Sequence, residues 1–380
     1  MPVLSAALSG AGPVLLPDGP GDLRGPDGPA LGPGENDAED PTVALLSTSG
    51  SSGRSKRVLL QASALLASAS ATHDRLGGPG RWLLALPVHH VAGLQVLVRS
   101  LVTGTTPVAV DLAGGFRPAE FVEAAGRLGR ARRYTALVPT QLGRLLDAGD
   151  EAAATLAGFD AVLVGGAATP DPLLRRAREA GVRIVTSYGM TETCGGCVYD
   201  GLPLQGVTLT LDDDGRISLG GPVVARGYHR ADGAAADGSA PGTPFTIDAT
   251  GRRWFRTDDA GTTDGERLVV LGRLDDLIVT GGLKVAPRAV EAVLLDLPEI
   301  AEAIVLGVPD AEWGQRVVAA VVLAPGATAP TLAGLRGQVA ARLGRAAAPR
   351  QCLVLDSIPL LGPGKPDRTR LAALAADGGA

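Results

Sequence analysis

Residues 47–56, Ser-Thr-Ser-Gly-Ser-Ser-Gly-Arg-Ser-Lys, crowd small hydroxyls, two glycines and a lysine into ten positions directly after an apolar run at 43–46. Gly50 and Gly53 let backbone N–H groups turn inward. The hydroxyls of Ser47, Thr48, Ser49, Ser51 and Ser52 add donors and Lys56 adds positive charge, which together are what a polyphosphate needs. A Walker A loop puts its lysine directly after the second glycine, whereas here Arg54 and Ser55 intervene between Gly53 and Lys56. A flexible Ser/Gly linker has the same composition; a position between a strand and an ensuing helix favours the phosphate loop. The Cys194-x-x-Cys197 pair has no second Cys pair or nearby His pair to complete a zinc site, so it reads as structural or pocket-lining. Lys365, between Gly364 and Pro366, would by composition alone be a solvated surface residue.

The loop at 47–56 resembles the phosphate loop of the adenylate-forming superfamily of acyl-CoA synthetases, luciferases and adenylation domains, usually Ser/Thr-Ser-Gly-Ser/Thr-Thr-Gly-x-Pro-Lys. Ser52 and Ser55 are its departures here. Further motifs follow in the family's order. Tyr188-Gly189-Met190-Thr191-Glu192-Thr193 is similar to Tyr-Gly-x-Thr-Glu, which implies Tyr188 and Gly189 at the adenine, Thr191 at the α-phosphate and Glu192 as ligand of Mg²⁺. A hard carboxylate suits a cation that bridges phosphates. Gly165, Gly166 and Ala167 resemble the segment on the other side of the adenine, although the same residues would make an ordinary strand-to-helix turn. Phe255-Arg256-Thr257-Asp258-Asp259 looks like Tyr-x-Thr-Gly-Asp, with Asp259 at the ribose and Asp258 where glycine is usual. Gly272-Arg273-Leu274-Asp275 resembles the hinge motif, giving Arg273 a ribose contact and Asp275 the pivot.

The C-terminal Pro363-Gly364-Lys365-Pro366-Asp367-Arg368 resembles the segment that carries the catalytic lysine of adenylation, here Lys365. Gly281, Gly282 and Trp313 match positions that meet CoA, with a structural Trp an equal reading of Trp313. Pro87-Val88-His89-His90-Val91-Ala92-Gly93 resembles the acyl-pocket segment, so His90 is a candidate catalytic and substrate-binding residue, with a structural histidine as the alternative. Ser187, Gly189 and Thr193 are the other candidate substrate contacts. The resemblance covers about 43 to 370. It implies ATP-dependent activation of a small carboxylic acid as acyl-AMP, with pyrophosphate release, then transfer to CoA; ATP, Mg²⁺ and CoA are the implied cofactors and co-substrate. The phosphate loop lies nearer residue 1 than in most members. With the stretch at 188–201, this makes the chain look most like the branch that ligates o-succinylbenzoate to CoA in menaquinone biosynthesis. Other aryl- or acyl-CoA ligases, a stand-alone adenylation enzyme serving a carrier protein and a non-catalytic nucleotide-binding homologue are the alternatives.

These residues need elements to hold them. The pattern predicts strands at 43–47, 82–86, 134–138 and 161–164 alternating with helices at 62–75, 118–130 and 139–148, which reads as α/β with a largely parallel sheet. Short strands and turn signals at 206–272 predict a β-rich subdomain, with 231–242 as an exposed loop. The pattern resets after Asp275: helices at 287–295 and 331–343 and strands at 300–308, 317–323 and 352–355 predict a small α+β domain. The expected division is 1–274, an ATP- and acyl-binding domain, and 275–380, a mobile C-terminal domain joined by a hinge. Residues 10–34, rich in Gly, Pro and Asp, read as a loop or loosely packed lead-in.

Composition narrows the class. A net charge of −5 spread along 380 residues disfavours a nucleic-acid partner. Hydrophobic residues at 45% with aromatics at 3% require Ala, Val and Leu to fill the core. Three cysteines, no signal-like N-terminus and no apolar run of membrane-spanning length point to a cytoplasmic protein without membrane insertion. Oligomeric state is left open, a homo-oligomer included.

Overall fold

The computed structural model describes residues 1–17, 31–32, 34–48, 56–229, 243–361 and 365–377. The first part of the chain comprises α1 (Pro2–Leu8), β1 (Thr42–Thr48), β2 (Lys56–Gln61), α2 (Ala62–Arg75), β3 (Arg81–Leu84), α3 (Val91–Val102), β4 (Val108–Ala109), α4 (Pro118–Gly126), β5 (Arg133–Leu137), α5 (Pro139–Asp147), α6 (Asp150–Ala157), β6 (Ala161–Gly165), α7 (Asp171–Glu179), β7 (Ile184–Met190), β8 (Gly195–Tyr199) and β9 (Leu202–Pro203). Seven of these strands form one sheet, ordered β4-β3-β5-β6-β7-β8-β9. The pairs from β4 to β7 are parallel and the last two antiparallel. Helices on both faces explain the continuous apolar runs of the central strands: β5 and β6 send alternate residues into two clusters, one with Leu137, Val162 and Val164, the other with Tyr134, Ala136 and Leu163.

The next stretch, β10 (Thr208–Leu211), β11 (Arg216–Gly220), β12 (Gly227–Tyr228), β13 (Phe245–Ile247), β14 (Arg253–Asp264) and β15 (Arg267–Arg273), is the expected β-rich region. Five of its strands make one antiparallel sheet, while β12 leaves it to pair with β2. The C-terminal part contains β16 (Ile278–Thr280), β17 (Leu283–Val285), α8 (Pro287–Leu295), β18 (Ile300–Asp310), β19 (Gly314–Leu323), α9 (Leu332–Leu343), β20 (Gln351–Leu355), β21 (Leu360–Leu361), β22 (Lys365–Pro366) and α10 (Arg368–Asp377). Along β19, Val317, Ala319 and Val321 face α8 and α9, whereas Val318 and Ala320 face α10. That alternation is the strand's period of two. The apolar clusters separate between Val270 and Ile278.

Several expectations need correction. Lys56 opens a strand, β2, paired with β1 from Thr48↔Lys56 to Thr42↔Gln61; an unexpected strand therefore stands between the phosphate-loop segment and the helix, which begins at Ala62 as expected. Helix α4 stops at Gly126 rather than at 130, with Gly129 at φ 75 in the turn that follows. Within 10–34, Leu15 and Leu16 are buried, and Leu15 bridges Ala44 in parallel fashion, so this part of the lead-in is packed. Residues 18–30 and 33, and the predicted loop at 231–242, lie outside the described residues.

Candidate active site

Because β3, β5, β6 and β7 run parallel, their C-terminal ends share one edge of the sheet, the place where open α/β sheets bind ligands. Gly165 ends β6 in register with Ser187 of β7, and Gly166 follows at φ 77, leading to Ala167. A Cβ on Gly189 would lie 2.2 Å from the Gly195 carbonyl oxygen, so glycine is required where β7 folds back onto β8. On the β3 side, His90 is exposed at the start of α3, its ring 4.4 Å from that of His89. Local desolvation, with His89 adding to it, lowers the His90 pKa.

The Tyr188 hydroxyl donates to Asp259 Oδ2 at 2.8 Å, joining the parallel sheet to β14. Burial, and then the Asp259 charge, raise the Tyr188 pKa. Burial likewise raises that of Asp259, against the hydrogen bond from Tyr188 and the charge of Arg273. Asp259 is in register with Arg273 of β15. Its neighbour Asp258 is exposed and instead pairs with Arg216 and Arg273, each at 3.1 Å. Asp259 is thus the carboxylate turned toward Tyr188. Arg273 also meets Asp275 at 3.2 Å, and the Leu274 N–H donates to the Asp258 carbonyl, which ties the turn at the expected pivot to β14.

Glu192, in the short turn Thr191–Thr193, is 7% exposed. Its Oε1 accepts from the Tyr228 hydroxyl at 2.8 Å, and its carbonyl accepts from the Ala225 N–H at 2.9 Å. Burial raises its pKa, while the Tyr228 hydrogen bond and Lys56 oppose the rise. Lys56 Nζ stands 4.8 Å from the centre of the Tyr228 ring. Among the described residues no cluster of three or more His, Cys, Asp or Glu could hold a metal ion. A single carboxylate nevertheless fits Mg²⁺, which keeps waters and takes phosphate oxygens rather than an all-protein cage. Thr193 is buried; its hydroxyl accepts the Met190 N–H at 3.0 Å and donates to the Gly195 carbonyl at 2.8 Å, shaping this turn. Cys194 and Cys197 are buried free thiols, with burial raising both pKa values, that of Cys197 to about 12.

Of the phosphate loop, Ser47, Thr48 and Lys56 are placed at the mouth of the β1–β2 hairpin, and Ser49, Gly50, Ser51, Ser52 and Gly53 lie outside the described residues. Gly281 and Gly282, at φ 56 and 78, turn β16 into β17. The Gly281 N–H donates to the Trp313 carbonyl, and Arg350 lies 3.9 Å over the Trp313 ring. Lys284 on β17 reaches Asp214 in the β10–β11 turn at 2.6 Å. Lys365 begins β22 opposite Leu361; its side chain lies outside the described residues.

Sequence reasoning missed Tyr228 and the Glu35–His229 pair beside it. A lone Gly-Tyr has no spacing signature. Its rarity, one of 4 tyrosines, was the only mark it carried.

No helix among the described residues is long and apolar enough to cross a membrane. The AMP-binding enzyme family matches residues 21–229 and the AMP-binding enzyme C-terminal domain matches residues 289–365. A Mycobacterium tuberculosis protein named "Probable 2-succinylbenzoate--CoA ligase" is 46% identical over 98% of this chain and 94% of its own. The o-succinylbenzoate CoA synthetase (MenE) of Bacillus subtilis, solved in complex with the acyl-adenylate intermediate OSB-AMP, superposes with a TM-score of 0.71 at 31% identity, covering 87% of this chain and 69% of that one. The same enzyme solved with ATP and magnesium ion gives a TM-score of 0.68 at 30% identity over 84% of this chain and 67% of that one. With the Gly165–Ala167 turn, Tyr188 and Gly189 at one sheet edge and the match running through nearly the whole sequence, the chain belongs to the AMP-binding enzyme family.

Proposed function

We propose that this protein is an ATP-dependent ligase that converts 2-succinylbenzoate to its CoA thioester through an acyl-adenylate, a step of menaquinone biosynthesis. The observation that carries the nucleotide chemistry is the pairing of Tyr188 with Asp259 on the strand that leads into Glu192, which is itself held by Tyr228 beside Lys56. The acid is supported by the 46% identity to a protein named for that substrate and by the Bacillus subtilis structure holding its acyl-adenylate. Cytoplasmic residence suits a user of ATP and CoA and suits three free cysteines.

A carboxylate is a poor acyl donor because its oxygen is a bad leaving group. In our reading Tyr188, Gly189 and the Gly165–Ala167 turn hold the adenine, while Asp259 and Arg273 hold the ribose. Ser47–Gly53 and Lys56 hold the β- and γ-phosphates, and Thr191 the α-phosphate. Mg²⁺ on Glu192 would supply charge neutralisation to the triphosphate. The acid lies near His90, Ser187 and Gly189, with Thr193 shaping the turn below. Its carboxylate oxygen bonds to the α-phosphorus as the bond to pyrophosphate breaks, and Lys365 steadies both partners as charge moves to the leaving group. The part after 274 then pivots at Asp275 and presents Gly281, Gly282 and Trp313 to CoA. The thiol sulfur bonds to the acyl carbon and AMP leaves.

The test is pyrophosphate release from Mg²⁺-ATP across a panel of aryl and fatty acids, with thioester read when CoA is present. Release selective for 2-succinylbenzoate is expected. Selectivity for another acid discards the substrate and keeps the chemistry; no turnover with any acid discards both. Lys365→Ala should slow pyrophosphate release about a hundredfold or more, the usual cost of losing a transition-state charge contact. Unchanged release would remove Lys365 from its assigned role.

A further inference from the structure

Tyr228 touches both charged ends of the nucleotide site. Its hydroxyl donates to Glu192, its ring lies under the Lys56 ammonium, and its edge packs on Phe245 with ring centroids 5.2 Å apart at 80°. These contacts come from distant parts of the chain. Lys56 starts β2, Glu192 follows β7, and Tyr228 sits on β12, a two-residue strand whose one strand partner among the described residues is β2. So short a strand cannot hold its side chain by ladder bonds alone. It is fastened at both ends: the Ala225 N–H donates to the Glu192 carbonyl at 2.9 Å, and the His229 N–H donates to the Arg57 carbonyl at 2.7 Å. The His229 imidazole shares a 2.9 Å hydrogen bond with Glu35, which is 0% exposed and also accepts the Gly32 N–H at 2.8 Å.

Resting on the reading of Glu192 as the Mg²⁺ ligand, we infer that Tyr228 is a positioning residue that sets the metal-binding carboxylate and the phosphate-binding lysine as one unit, with Glu35 and His229 as its anchor. The two halves are separable. The hydroxyl fixes the orientation of the carboxylate that would meet a hard cation. The ring seats the lysine by attraction of a cation to a π face. Tyr228→Phe removes the first and keeps the second, while Tyr228→Leu removes both. Glu35→Gln loosens the anchor without touching the nucleotide site.

The experiment is equilibrium binding of ATP by calorimetry, with EDTA and over a Mg²⁺ series, for the unaltered protein, Tyr228→Phe, Tyr228→Leu, Glu35→Gln and Glu192→Gln, each with a thermal melt. Tyr228→Phe should raise the Mg²⁺ concentration for half-saturation three- to tenfold and leave metal-free ATP affinity within twofold. Tyr228→Leu should weaken metal-free binding as well. Glu35→Gln should shift the Mg²⁺ dependence in the same direction by less, and serves as the deciding variant should Tyr228→Phe melt early. If Glu192→Gln shifts the Mg²⁺ dependence while Tyr228→Phe and Glu35→Gln do not, the inference is overturned and the metal reading stands. If Glu192→Gln has no effect on it, both fall. Equal loss of ATP affinity with and without Mg²⁺ in Tyr228→Phe marks a merely structural tyrosine and also overturns the inference.

Discussion

Asp258 and Asp259 are neighbours with different surroundings, and the difference predicts different costs. Asp259, half-buried, accepts the Tyr188 hydroxyl and has Arg273 beside it. Asp258 is 59% exposed in its pairs with Arg216 and Arg273. Hydrogen bonds to a charged group are worth about 1.5–3 kcal/mol, so Asp259→Asn should weaken ATP binding roughly ten- to a hundredfold. Exposed ion pairs contribute about 1 kcal/mol or less, so Asp258→Gly, which installs the usual family residue, should change ATP affinity less than about fivefold. Calorimetric titration of both variants decides it; the reverse ranking would reassign the ribose contact to Asp258.

Packing between elements produces a second, pH-dependent effect. His73 of α2 is 5% exposed, and its Nε2 accepts the Trp82 Nε1–H of β3 at 3.2 Å, which demands the neutral ring. Burial first, and then the buried Arg99 of α3, lower its pKa from 6.5 to about 4. The unfolded chain protonates this histidine near 6.5 and the folded chain does not, so between about pH 6.5 and 4 the unfolded state binds more protons. The contribution is fully present above the unfolded value and is lost as pH falls through this window. Its size is about 3 kcal/mol. Urea melts at pH 7 and pH 4.5 should therefore differ more for the unaltered protein than for His73→Gln. Equal pH sensitivity would show that other groups carry the acid response. Helix α3 also shows why some elements escaped sequence reading: residues Gly93 to Ser100 are all buried, so no polar face alternates with an apolar one. Helix α2, with apolar and small residues on a buried face and Ser63, Leu66 and Asp74 outside it, was legible.

At the scale of the whole molecule, charged pairs near the surface join the C-terminal part to the rest. Lys284 meets Asp214 at 2.6 Å, and Arg175 of α7 meets Asp296 beyond α8 at 3.1 Å. Such contacts are weak enough to break in the pivot proposed above. Lys284 lies on the hairpin whose Gly281–Gly282 turn we assign to the CoA step. Lys284→Ala should slow thioester formation about two- to fivefold, the worth of one exposed pair, and leave pyrophosphate release unchanged. Measured half-reactions slowed equally would show that the contact serves both arrangements.

The family was readable from the motifs around Tyr188, Asp259, Arg273 and Lys365, because each restricts residue type over a short local spacing. The division of strands and helices was readable for a related reason, since a core built of Val, Leu and Ala leaves its period in the chain wherever one face meets water. What local order could not contain was partnership across distance. Tyr228 finds Glu192 across 36 positions, and His229 finds Glu35 across 194. The choice of Asp259 over Asp258 follows from which face of β14 turns toward Tyr188. Each of these depends on strand register and on which sheet edges meet, quantities set by the packing of the whole core, and therefore decided only by the tertiary structure.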